Sequence, residues 1–349
     1  MSGSLEKDRK KERLGWLDFG KIAGILVVLL VHAGCEAGPV TFYGGMFYMP
    51  VFFVAAGYTF QYREGKDFWL YVKKKAGRLL VPYVWTNVFL WIFFWVKDSL
   101  LAGNPRELKL SSVYGILYSR NQMYVTSYAG DNPVLLDLLN APLWFLTAMF
   151  LTCVWYEALS RSRRKYVLLA AGAVLAAVWH YQTELLLPWS LDAVPLFACF
   201  MAAGELLRER KWEKLLGELW VLGVLLMVFV ISAQLNGSMN LSSGDYGHHI
   251  LLCLISGITG SLLVFAVGMW LEKIVPSLTR LCSLAGQETL TVLCFHMFLF
   301  MFIRAAASLL GLSERLTQAA LVFGSMILLT GAGWAARNRI RTRIARFFL

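Results

Sequence analysis

Long apolar runs set the terms for this chain. About ten stretches, each close to the ~20 residues an α-helix needs to cross a bilayer core, alternate with short basic connections. Their expected positions are 16–35, 42–60, 80–98, 140–159, 166–182, 188–207, 217–235, 248–270, 282–303 and 316–336. A short turn with Pro188 divides the fifth from the sixth. Inside lipid every backbone N–H and C=O must be bonded within the protein, so runs of this length read as helices. The expected fold class is all-α, a polytopic transmembrane helical bundle of about ten spans. Composition agrees. Apolar residues make up 58% and charged ones 16%, too few polar side chains to cover a soluble molecule of this length. The first run follows a basic tail, as in a signal peptide. Glu36 and Gly38-Pro39 follow it where small cleavage-site residues belong, so it reads as an uncleaved span.

Charge placement tests this map with information not used to draw it. Lysine and arginine crowd the N-terminal segment (Lys7, Arg9, Lys10, Lys11, Arg13) and the connection after the second span (Arg63, Lys66, Lys73, Lys74, Lys75, Arg78). They recur after the fourth (Arg161, Arg163, Arg164, Lys165), sixth (Arg208, Arg210, Lys211, Lys214) and eighth (Lys273, Arg280) spans. The C-terminal segment adds Arg337, Arg339, Arg341, Arg343 and Arg346. Of the 33 basic residues, the other side holds only Lys97, Arg106, Lys109, Arg120, Arg304 and Arg315. By the positive-inside rule both termini are expected in the cytoplasm. The net charge of +11 then reflects topology and contact with anionic lipid heads, and no nucleic-acid partner is expected. The domain reading is a basic tail over 1–15, a transmembrane domain over 16–336 and a second basic tail over 337–349. A long external segment, 99–139, carries Tyr114, Tyr118, Tyr124 and Tyr128.

Six cysteines (Cys35, Cys153, Cys199, Cys253, Cys282, Cys294) fall in apolar segments without a C-x-x-C pair. Neither a disulfide nor a metal site is expected from them. The histidines are His32, His180, His248, His249 and His296. The adjacent pair 248–249 points its rings apart, and with His180 it reads as loop or interface residues. The first span is more informative. Lys21 stands near its inner side and His32 near its outer side, about 16 Å apart along a helix. Ionisable groups at membrane depth face a protein interior or a wet cavity. Lys21 also reads as a snorkelling anchor paired with Asp18 one turn below. Glu36 follows His32 at i+4, where, if the helix continues, its carboxylate orients the imidazole as a general base for an attacking hydroxyl. Lys75 and Arg78, at i and i+3 on a helix entering the membrane, suit a phosphate-bearing ligand. The competing reading of that pair is plain positive-inside charge.

These residues together resemble the acyltransferase 3 family of integral membrane proteins. The resemblance rests on Trp16-Leu17-Asp18-x-x-Lys21…His32, Met49-Pro50-Val51-Phe52-Phe53-Val54-Ala55-Ala56-Gly57-Tyr58, and Lys75-x-x-Arg78-Leu79-Leu80-Val81-Pro82-Tyr83. It continues in Ala141-Pro142-Leu143-Trp144-Phe145-Leu146 and Gly286-Gln287-Glu288-Thr289-Leu290…Phe295-His296-Met297. The opening motif is similar to the fucose 4-O-acetylase-like branch, whose members modify sugars. The family's pattern of two arginines three apart falls on Lys75 and Arg78, the first member here being lysine, which lacks the bidentate fork of arginine.

The resemblance implies O-acyl transfer, in the enzyme class that transfers groups other than amino-acyl groups, from acyl-CoA (acetyl-CoA as the usual donor) to a hydroxyl of a glycan or other cell-surface acceptor. It implies donor contacts at Lys21, Lys75 and Arg78, catalysis by His32 with Glu36 and His296, and substrate contacts at Asp18, Trp144 and Tyr83. His296 would give a hydrogen bond to the oxyanion or share the base role. No G-x-S-x-G nucleophile elbow is present, which favours direct transfer. The expected location is a bacterial inner membrane. The rival class is a transporter or lipid-linked glycan flippase, whose path buried polar residues and Pro50 would line. No repeated halves or paired broken helices support it.

Overall fold

A computed structural model describes residues 14–102, 110–124, 136 and 139–347. The basic residues Lys7, Arg9, Lys10, Lys11 and Arg13, and Arg106, Lys109 and Tyr128 of the expected external segment, lie outside the described residues. The described chain is helical. In order it forms α1 (Gly15–His32), α2 (Pro39–Phe47), α3 (Pro50–Thr59), α4 (Phe68–Ala102), α5 (Leu110–Tyr118), α6 (Trp144–Ser160), α7 (Lys165–Gln182) and α8 (Val194–Glu209). Then follow α9 (Glu213–Leu216), α10 (Leu219–Asn236), α11 (Ile250–Ile274), α12 (Pro276–Ala285), α13 (Thr289–Leu309), α14 (Glu314–Ala319) and α15 (Ser325–Phe347). Among the described residues, nine helical segments are long and apolar enough to cross a bilayer.

The helix at the expected fifth span, α7, falls short of that measure because Lys165 and His180-Tyr181-Gln182 make its ends polar. Its contacts nonetheless run between the two ends of the bundle. Lys165 ion-pairs with Glu205 near the close of α8, while the His180 ring lies 4.8 Å from Tyr246 at the opposite end. Eighteen residues of helix cover about 27 Å, enough for that traverse. The chain is a multi-pass membrane protein. Its outward faces agree: Trp85, Leu219 and Leu309 are widely exposed apolar residues, a costly arrangement in water and the natural one in lipid.

Helix crossings use small residues where backbones meet. A Cβ on Gly57 of α3 would stand 1.8 Å from the Met201 carbonyl oxygen of α8, and one on Gly204 would stand 1.9 Å from that of Val54. Only glycine permits so close an approach. On α1, Gly20 packs under Phe265 and Gly24 under Val51. One face of α1 is thus pressed against α11 and α3, and the other is left to face the interior.

Candidate active site

The inward face of α1 follows the helical repeat: Lys21, Ile25, Val28 and His32 recur at three- and four-residue steps. Lys21 and Ile25 line one cavity; Val28 and His32 line a second. Leu293 of α13 lines both, so the two spaces are neighbours along a single helix face.

The first is a basic cavity of about 630 Å³, within the usual range for a small-molecule site. Lys21, Lys75, Arg78 and Arg337 bring four cationic side chains to its wall, over an apolar lining that includes Phe52, Phe145 and Leu290. Lys21 donates to Asp18 at 2.6 Å, and Asp18 is buried beneath Gly286. Lys75 stands 5.4 Å from the Tyr71 ring centroid. Neither Lys75 nor Arg78 has a carboxylate partner among the described residues, which leaves both charges for a ligand. Arg337 donates to the Gln287 backbone carbonyl at 2.9 Å, bonds the Gln287 side chain and pairs with Glu288. Sequence reading placed Arg337 in a tail. It belongs to α15, and its conspicuous neighbours in a basic run hide it among topology charges.

The second, of about 140 Å³ at the opposite end, has no lysine, arginine, aspartate or glutamate on its wall among the described residues and is in that sense the neutral cavity. His32, Trp144, Asn121, Asn240 and Ser242 line it. Nδ1 of His32 is 2.8 Å from the Val28 carbonyl oxygen. A carbonyl only accepts, so Nδ1 carries the hydrogen and Nε2 keeps its lone pair. His296 is fully buried and its ring lies 5.2 Å from that of His32, nearly perpendicular at 77°. Its Nδ1 is likewise bonded to the Val292 carbonyl at 2.9 Å, and its Nε2 has no protein partner. Asn140, missed in the sequence, donates to the Cys294 carbonyl at 2.7 Å and ties the entry to α6 against this part of α13.

The rim of the neutral cavity is built from connections. The 119–122 segment is anchored by a buried ion pair, Arg120 to Asp192 at 2.9 Å. Tyr118 adds a hydrogen bond to the Leu186 carbonyl at 2.5 Å. The α10–α11 connection is held by Asn236, which donates to the Tyr246 carbonyl at 2.9 Å and accepts from the His249 N–H at 3.1 Å. Burial pushes the Tyr246 phenol well up from its ordinary pKa, so it stays neutral in this connection.

Two expectations fail. Helix α1 ends at His32 in a left-handed cap. Gly34 takes φ 74°, its N–H bonds the Val31 carbonyl, and the Cys35 N–H bonds that of Leu30. Glu36 therefore leaves the helix, lies exposed in the loop and makes no bond to the imidazole, whose orienting partner is the Val28 carbonyl. Gly34 was the available signal. Tyr83 is buried and lines neither cavity; it donates to the Ile116 carbonyl at 2.5 Å and ties α4 to α5. Asp18 supports Lys21, and Trp144 lies on the wall of the neutral cavity. His180, His248 and His249 line neither cavity. All six cysteines are free, and no group of three potential metal ligands occurs among the described residues.

A basic cavity and a histidine-bearing cavity thus lie end to end inside a membrane-embedded bundle. The family model described as an acyltransferase domain, Acyl_transf_3, matches residues 14–335. The chain belongs to that family and is a membrane acyltransferase. No curated protein and no solved structure matches it.

Proposed function

We propose that the protein is a membrane O-acyltransferase of the fucose 4-O-acetylase-like branch. It moves an acyl group, acetyl in the simplest case, from acyl-CoA to a hydroxyl of a cell-surface glycan. The observation that carries this reading is the alignment of two chemically opposite cavities along the Lys21–His32 face of α1, meeting at Leu293. With the basic end and both termini in the cytoplasm of a bacterial inner membrane, the donor enters the basic cavity. Lys75, Arg78 and Lys21 hold its phosphates, with Arg337 as a fourth cation.

The thioester reaches past Leu293 toward His32. The acceptor hydroxyl approaches from the outer side, and its oxygen attacks the thioester carbonyl carbon while His32 Nε2 takes its proton. His296, which lines neither cavity, backs the His32 ring at a centroid distance of 5.2 Å and holds it toward the acceptor side. As the tetrahedral intermediate collapses, the C–S bond breaks and the thiolate leaves with the electron pair. It then takes the proton from the imidazolium, which restores His32 and yields an ester and free CoA.

The test is thioester turnover by purified protein in lipid nanodiscs, read as free thiol released from acetyl-CoA, with and without His32→Ala. Acceptor-stimulated release that needs His32 supports the reading. Donor that neither binds nor turns over in the native protein sinks it.

A further inference from the structure

A third cavity lies away from the two along α1. It is a groove of about 700 Å³ between α4, α13 and α15, with Phe89, Phe295 and Phe298 facing the small residues Ala332, Gly333 and Ala336. Phe89 is 43% exposed, and Ala332 and Ala336 are exposed on α15, so the groove opens outward from the bundle. Its polar residues, Glu288, Thr291 and Arg337, all stand at one end. Glu288 is buried there. Its Oε1 pairs with Arg337, its Oε2 accepts from Thr291 Oγ1 at 3.3 Å, and Gly333 has no Cβ to keep it out. That carboxylate is spent inside the wall. Arg337 keeps 30% of its side chain exposed. Its contacts with Gln287 and Glu288 use three of the five N–H donors of a guanidinium. Beyond it α15 carries Arg339, Arg341, Arg343 and Arg346, so positive charge prevails at this end.

We propose that this groove seats one chain of an anionic phospholipid from the leaflet at the basic end of the bundle, with the lipid phosphate on Arg337. Depth fits the chain. From Arg337 back to Leu329 on α15, and from Thr291 to Leu299 on α13, the groove runs eight residues, about 12 Å of helix. One leaflet of the hydrocarbon core is about 15 Å deep. An apolar groove alone selects nothing in a bilayer, because every lipid tail is as apolar as its wall. The guanidinium supplies the choice. A phosphate gives its remaining N–H groups charged acceptors, and basic pockets between membrane helices hold anionic head groups. A zwitterionic head group brings the same phosphate with an ammonium that the arginines of α15 repel. Arg337 also lines the basic cavity, so one side chain touches both spaces. The site stands on its own geometry and does not depend on the acyl-transfer reading.

The test is native mass spectrometry of the full chain, released without acyl-CoA from nanodiscs that hold equimolar phosphatidylglycerol and phosphatidylcholine of the same chain length. One phosphatidylglycerol is expected to stay with the protein about fivefold more often than phosphatidylcholine, the ratio that ~1 kcal/mol gives. Arg337→Gln should remove that preference, and Arg337→Lys should keep part of it. Ala332→Phe with Ala336→Phe should displace the retained lipid, since the added rings fill the groove from an exposed helix face. Equal retention of the two lipids by the native protein overturns the inference, and that measurement needs no variant to fold. A preference that survives both Arg337→Gln and the filled groove overturns it too. So does a two-chain species that the filled groove abolishes, which assigns the face to a second copy. Because no donor is present, failure of the acyl-transfer reading leaves this outcome unchanged.

Discussion

The basic and neutral cavities share a helix face and one leucine, yet they differ in size by more than fourfold and, among the described residues, in the charge of their walls. The first gathers four cations from α1, α4 and α15 on helices. The second takes most of its polar groups from connections between helices. Helical charges placed one turn apart suit a ligand whose phosphates do not vary. Loops change with little cost to the scaffold. On the proposed reading, the contrast teaches that donor binding and acceptor choice would be written in different structural material.

Four perturbations break or sharpen this contrast. The largest effect belongs to His32→Ala, which should lower acceptor-dependent thiol release by about 10²–10⁴-fold, the usual worth of a general base. Donor affinity by equilibrium titration should stay as in the native protein, and full activity would remove His32 from the reaction. Next comes the pair Lys75→Ala with Arg78→Ala. Loss of two charge-assisted contacts at ~1.5–3 kcal/mol each should weaken donor binding at least tenfold without moving the acceptor KM. An unchanged donor affinity would return both residues to topology.

Leu293→Ala attacks the junction itself. It should widen the passage, admit water and raise the ratio of thioester hydrolysis to transfer roughly threefold. A thermal melt should register about 2 kcal/mol of lost packing. A ratio that does not move would mean the two spaces are sealed by something other than this side chain. The smallest effect is that of salt. A roughly tenfold rise in ionic strength should raise the donor KM a few-fold through screening and leave the acceptor KM flat. Equal sensitivity of the two constants would erase the electrostatic difference between the cavities.

Much of the scaffold was legible because lipid imposes one length and one backbone solution on every span. Lys21, His32, Lys75 and Arg78 were legible for a related reason: a charge inside or beside an apolar run is costly and stands out. What escaped had no such signal. Arg337 sat among other arginines. Asn121, Asn240 and Ser242 are ordinary loop residues until tertiary structure brings 121 and 240 to one rim. Tyr83 follows a motif in sequence, but its ring direction depends on the approach of α5. Glu36 was misplaced because i+4 geometry was extended past Gly34, where a left-handed turn ends the helix. The expected fifth span, α7, differs from the others in its polar ends, which are tethered through Lys165 and His180.

The glycine crossing of α3 and α8 carries one more consequence. With Gly57 seated on the Met201 carbonyl and Gly204 on that of Val54, these helices are riveted at main-chain distance and have no side-chain cushion to slide on. A carrier that swung cargo across the bilayer by rocking one half against another would have to pull this rivet each cycle. On the proposed acyl-transfer reading no such motion is needed, because only small groups travel and α3 and α8 stay locked together.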